Sequence, residues 1–280
     1  MTATIEQIAH INNIDVYYEK YEKALSDEYV VLIHGFLSSS FTFRRLIPSL
    51  TDHYNVISID LPPFGKSGKC DKYKYSYKNL AKTVLELLDY LGIQKAYVIG
   101  HSMGGQIALN MMTLEPSFVE KGVLLCSTSY MKRARVPIIL SSYLPYFHLF
   151  VKFHIARKGI LSKLQNCVCD HSLIDDEMVF GYIQPFLEND IFVALNKMIR
   201  DREGDLPKQE LNRIQTPCLL IWGKEDRVVP LHVGERLAQD LTNAQLVVLE
   251  NTGHLLPEEK PNEIQRYIQT FFQKDAIGLG

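Results

Sequence analysis

The chain has 280 residues, 46% of them hydrophobic and 22% charged, the balance of a folded globular protein and not of a disordered or membrane-embedded one. Lys and Arg number 30 against 32 Asp and Glu, so the net charge of −2 supplies no field to gather nucleic acid, and a small or apolar substrate is the expected partner. The five cysteines, Cys70, Cys126, Cys167, Cys169 and Cys218, are odd in number and scattered, which reads as free thiols in a reducing cytoplasm.

The opening MTATIEQIAHINNIDVYYEK has no basic region followed by an apolar run, and nowhere do about eighteen apolar residues pass uncharged, so neither secretion nor stable membrane insertion is expected. From Ile14 to Tyr21 apolar and polar residues alternate, the pattern of a half-buried strand at a sheet's edge. Tyr29 to Ile33 is continuously apolar, as in a strand covered on both faces. Short β-branched runs follow at Val56 to Ile59, Ala96 to Ile99 and Val119 to Leu125. Between them, Leu80, Ala81, Val84, Leu87, Leu88 and Leu91 mark one face of a helix over Tyr77 to Leu91. Alternating strands and helices predict a mostly parallel central sheet with helices on both faces.

After Leu125 the alternation stops, and it resumes only with the strand patterns at Cys218 to Trp222 and Leu246 to Leu249 and a closing helical stripe over Ile264 to Phe272. That gap is far longer than an ordinary connection and holds Pro137, Pro145, Pro185, many aromatics and helical patterns. It predicts a helical cap over residues 129–213, inserted into a core formed by residues 1–128 and 214–280. No internal repeat is visible.

Gly100-His101-Ser102-Met103-Gly104 fits G-x-S-x-G, follows the strand pattern AYVIG and precedes the helical run QIALNMMTL. In such a strand-to-helix turn the glycines provide clearance and the serine hydroxyl is lifted off the sheet. The glycine spacing fits neither G-x-G-x-x-G nor a phosphate loop. A serine hydroxyl needs a base, and the base needs an orienting group. Asp226, in WGKEDRVVP, and His254, in NTGHLLPEE, both follow strand patterns and keep the order Ser, Asp, His. Glu225, one residue away, is the alternative acid. Backbone N–H groups for a tetrahedral oxyanion are expected at Met103, after the nucleophile, and at Phe36, after His34-Gly35.

The segments HGFLSSSFTFRRLIPSL, IDLPPFGKSGK, VIGHSMGGQIALN, LLIWGKEDRVVP and TGHLLPEEKP resemble the α/β-hydrolase superfamily, in particular its capped, esterase-like bacterial members of the YugF type. That likeness reaches the inserted region at Leu144 to His148 and Arg202 to Leu206. It implies a triad of Ser102, Asp226 and His254 with oxyanion donors on Phe36 and Met103, and no substrate identity. Haloalkane dehalogenases and epoxide hydrolases resemble the same core but carry Asp where this chain has Ser102, so an acyl-enzyme route with a small, mostly apolar ester fits better. Carbon–carbon bond hydrolysis and cofactor-free perhydrolysis stay open on the same triad, as does a non-catalytic sensor of a small ligand.

No cofactor is called for. Cys167, Cys169, Asp170 and His171 lack the second spaced pair of a structural zinc site, so no metal is expected. The basic and aromatic stretch from Lys132 to Lys163 admits an interfacial face, although a solvated outer side over an apolar inner one is the more ordinary meaning. Its Tyr143 and Phe147 are expected to roof a substrate pocket floored by Phe36, Leu37, Val228 and Leu255. On oligomeric state the sequence is silent.

Overall fold

The computed structural model describes residues 3–23, 26–156 and 159–273. Eight strands form one sheet: β1 (Ala3–Ile11), β2 (Ile14–Glu22), β3 (Tyr29–Ile33), β4 (Asn55–Ile59), β5 (Ala96–His101), β6 (Val119–Leu125), β7 (Cys218–Gly223) and β8 (Ala244–Leu249). Their order across the sheet is β1-β2-β4-β3-β5-β6-β7-β8. β1 and β2 run antiparallel, β2 runs antiparallel to β4, and every later pairing is parallel.

Position in the sheet follows residue pattern. The mainly apolar strands β3, β4 and β5 lie in the middle and are almost wholly buried, while β8 at the far edge stays half-exposed. The expected edge over Ile14 to Tyr21 is corrected by one strand. β1 lies outside β2 and pairs with it over its whole length, with Ile8 turned to water at 61% exposure. Its residues alternate too loosely to announce a strand. The usable signal was the pair Asn12-Asn13, both at positive φ, which closes a two-residue hairpin.

Helices cover both faces. α1 (Ile47–Leu50), α2 (Tyr77–Tyr90) and α3 (Met103–Leu114) precede β6. α2 starts where the Ser76 hydroxyl accepts from Asn79 N–H at 3.2 Å, and it buries the stripe Leu80, Ala81, Val84, Leu87 and Leu88. α10 (Leu231–Asp240), α11 (Leu256–Glu259) and α12 (Pro261–Gln273) complete the layers.

From the end of β6 to the start of β7 the described residues form helices and no sheet strand: α4 (Val136–Ser141), α5 (Phe147–Ala156), α6 (Gly159–Cys167), α7 (Asp176–Ile183), α8 (Asp190–Asp201) and α9 (Lys208–Leu211). The two ends of this region meet at an isolated antiparallel bridge, Lys132 with Gly204. Beside it, Asp205 N–H donates to Met131 O at 2.8 Å, and Met131 N–H donates to Asp205 Oδ2 at 2.9 Å. Among the described residues no helix is long and apolar enough to cross a membrane.

Candidate active site

The carboxyl ends of β3, β5, β7 and β8 converge on one rim. At the end of β5 the chain turns into α3 within one residue, Ser102, whose φ of 54° and ψ of −117° lie outside the regions ordinary residues occupy. Glycines make the turn possible. A Cβ on Gly100 would fall on the Gly104 carbonyl, and one on Gly104 would fall on the Ile33 carbonyl. The strained residue is held by backbone bonds: Ser102 N–H donates to Leu125 O at 2.9 Å, and Ser102 O accepts from Gly105 N–H and Thr128 N–H, each at 3.0 Å.

His254 follows β8 on a loop that is fixed from three sides. His254 N–H donates to Cys167 O at 2.6 Å and Leu255 N–H to the same oxygen at 3.1 Å. His101 Nε2–H donates to the His254 carbonyl at 2.9 Å. Burial, with the neighbouring His254 ring, holds His101 down to about 3, so it stays neutral and can keep this role at any ordinary pH. On the ring itself, Nδ1 pairs with Asp226 Oδ2 at 2.7 Å, both side chains being almost fully buried. With Nδ1 carrying the proton toward Asp226, Nε2 is left as the base-competent atom.

Asp226 stands in the loop after β7. Its Oδ1 accepts from Val228 N–H at 2.7 Å and Val229 N–H at 2.8 Å. Burial pushes its carboxyl up, but the bonds from His254, Cys126 and Val229 outweigh burial and leave it below the usual aspartate range. The one tryptophan, Trp222, is fully buried at the end of β7 and donates its Nε1–H to Val229 O at 2.8 Å, bracing the same loop. Glu225 is engaged elsewhere: its Oε2 accepts from Thr252 N–H at 2.9 Å.

Sequence reasoning missed Cys126. It follows β6 at positive φ, and its thiol donates to the Asp226 carboxylate, burial holding it well above its ordinary value and therefore protonated. Cys126, Asp226 and His254 are also the only group of possible metal ligands that converges among the described residues, within 4.8 Å of one another. Both Asp226 oxygens already accept hydrogen bonds there, so a cation would have to displace the donors that hold the histidine. No sequence motif marks Cys126; the available signal was its place at the carboxyl end of a parallel strand.

Of the two expected oxyanion donors, Met103 is the first residue of α3, so its N–H has no carbonyl partner one turn earlier in the helix. Its side chain is buried. Phe36 follows β3, with Gly35 packed against Ser102; a Cβ there would stand 3.0 Å from Ser102 Cβ. His34 fixes this exit, accepting at Nε2 from Leu61 N–H at 2.9 Å and donating from Nδ1 to Gly35 O at 2.7 Å.

Above the rim lies a cavity of about 680 Å³, into which Phe36, Leu37, Ser102, Val228, His254 and Leu255 all face. Its opposite wall is α6, through Ile160, Lys163 and Leu164, together with Tyr182 and Phe186. Tyr143 and Phe147 are not in this wall, contrary to expectation. Tyr143 is 66% exposed with the Arg200 guanidinium over its ring at 4.7 Å, and Phe147 stacks obliquely on Phe150. The reason is that α5 packs against α8 and not over the rim, which leaves the roof to α6 and α7.

The sequence model of the alpha/beta hydrolase family matches residues 30–264, and the chain belongs to that family. The uncharacterized hydrolase YugF of Bacillus subtilis is 46% identical over 94% of this chain and 96% of its own. A 2-hydroxy-6-oxo-6-phenylhexa-2,4-dienoate hydrolase of Comamonas testosteroni is 26% identical over 91% of each chain. The solved structure of such a dienoate hydrolase from Rhodococcus sp. strain RHA1 superposes with a TM-score of 0.81 at 22% identity, covering 98% of this chain and 100% of that one. The chain is thus an α/β-type hydrolase.

Proposed function

We propose that the chain is a serine hydrolase that cleaves a small, mostly apolar ester through an acyl-enzyme intermediate, with residues 129–213 acting as its cap. One observation carries the reading: a strained Ser102 at a strand-to-helix turn shares a cavity with a His254 whose Nδ1 is bonded to a buried Asp226. In this reaction Ser102 Oγ attacks the acyl carbon as His254 Nε2 takes its proton. Asp226 keeps the imidazole oriented and favours its charged form. The N–H groups of Phe36 and Met103 receive the oxyanion. The protonated His254 then gives its proton to the leaving alkoxide, and a water activated by the same Nε2 releases the acid.

A second reading has its own support. Among the described residues the cavity wall contains Lys163 and Arg227 and no carboxylate, so an anionic substrate would meet favourable charge. Carbon–carbon hydrolysis of a dienoate, the activity named for the Comamonas relative, is a reaction of that kind. A fluorophosphonate probe that labels the wild type and not Ser102→Ala, with turnover of neutral acetate and butyrate esters, supports the ester reading. Turnover confined to carboxylate-bearing vinylogous diketones would replace it with the second, and binding without turnover of either class would leave only a ligand sensor.

A further inference from the structure

The outer side of the region between β6 and β7 carries a surface that the cavity does not use. α5 is apolar around most of its circumference. Its inner face packs Val151 and Ile155 on the core, where α5 lies against α8. Its outer face presents Leu149, Phe150 and Phe153 at helical spacing, and Tyr146, just before the helix, is exposed as well; Phe153 is 66% and Tyr146 74% exposed. Across the preceding turn, Val136 and Leu140 of α4 extend the same exposed apolar character, four residues apart. Packing needs only one face of such a helix, and a contiguous apolar patch open to water marks an interaction surface.

Charge selects the partner. From Ser127 to Cys169 the sequence contains no Asp or Glu, in a chain whose acids outnumber its Lys and Arg, 32 to 30. Lys132, Arg133 and Arg135 lead into α4, and Lys152 rises from α5. Arg133 and Lys152 donate to neutral oxygens, Arg200 O at 3.1 Å and Asn189 Oδ1 at 2.7 Å, so these bonds do not cancel their charge. A second copy seated on this face would bring like charges together across a two-fold axis. Exposed aromatic and aliphatic side chains edged by Lys and Arg are instead suited to the headgroup layer of an anionic bilayer, entered from one side.

We propose that α4 and α5 dock this protein reversibly on an anionic lipid surface. The docked face adjoins the cavity wall, since α5 contacts α6 and α6 contributes Ile160, Lys163 and Leu164 to that wall. The attachment is independent of the ester chemistry proposed above and is read without it. The test is co-sedimentation of the full chain with vesicles of phosphatidylcholine alone or mixed with phosphatidylglycerol, at about 50 mM and about 500 mM salt. Binding is expected on the phosphatidylglycerol vesicles at low salt, and to be lost on neutral vesicles and at high salt.

Phe150→Glu with Phe153→Glu, and separately Lys132→Glu with Arg133→Glu and Arg135→Glu, should each weaken binding by about tenfold or more. Unchanged thermal unfolding in at least one of the two sets separates lost docking from lost folding, and Ser102→Ala should bind like the wild type. Absence of binding at low salt, equal binding to neutral and anionic vesicles, or a dimer in sedimentation velocity that Phe153→Glu dissolves would each overturn the proposal.

Discussion

The region between β6 and β7 has two halves that behave oppositely. α6 and α7 are stitched to the rim of the sheet: Cys167 O accepts from the His254 loop, and Glu259 Oε2 accepts from Cys169 N–H at 2.7 Å. Beneath α7, the fully buried Glu258 carboxylate pairs with Arg44 and with Arg45, the latter at 3.2 Å, while Tyr182 donates to it at 3.3 Å. α4 and α5 share none of these bonds; α4 leaves Val136 and Leu140 exposed, and α5 turns Phe150 and Phe153 outward. Walling the cavity and exposing apolar side chains to water are thus divided between neighbouring helices. The half that touches the cavity is the one bound to the elements that carry the histidine.

The sharpest test of the stitched half lies at the rim to which it is bound. Ser102→Ala and His254→Ala should each lower kcat by about 10⁴-fold or more in a folded protein, and the double variant should fall little further because the two act as a unit. Steady-state kinetics on a hydrolysable ester read both. Ser102→Ala with most of its activity retained would refute the mechanism. Asp226→Asn should cost about 10³- to 10⁴-fold by releasing the imidazole, whereas Glu225→Gln should stay within about tenfold, because Glu225 serves Thr252 N–H. The reverse ranking would reassign the acid.

Glu258→Ala leaves Arg44 and Arg45 facing an emptied site and is expected to cost about 3 kcal/mol, seen as a lower denaturant midpoint. An equal loss in Phe153→Ala would erase the contrast between the halves. A smaller effect belongs to Asp205, where the region's two ends meet. Burial pushes its carboxyl up to about 6, against the bond from Met131 N–H. The native state therefore holds this proton more tightly than the unfolded chain does, so its contribution to stability falls as pH rises from about 4 to about 6 and is level above that. Asp205→Asn should flatten this part of the Tm profile; an unchanged slope would assign it to other groups. Least affected of all should be acyl-length preference in Tyr143→Ala and Phe147→Ala, expected within about twofold of wild type because neither lines the cavity. A shifted profile would return them to the pocket.

Much of this was legible in the sequence, for local reasons. The turn at Ser102 needs glycines at fixed offsets, and buried parallel strands need unbroken apolar runs, so both leave marks that survive without coordinates. Which of Glu225 and Asp226 meets His254 depends on a backbone turn a residue wide, and adjacency alone left it open. The inward face of α5 was hidden for a different reason: FHLFVKFHIA is apolar on nearly every side, so its periodicity does not say which side is covered. Cys126 and the bonds from Cys167 O arise from pairings across long stretches of chain, where no local spacing carries information.

Trp222 has a practical consequence. As the chain's single indole, buried where its N–H holds Val229 O and its ring packs on Gly234, it reports on the loop that carries Asp226 with no competing tryptophan signal. A movement of that loop that broke the bond would change the polarity around the indole, so a stopped-flow trace of its intrinsic emission would time the movement without any label.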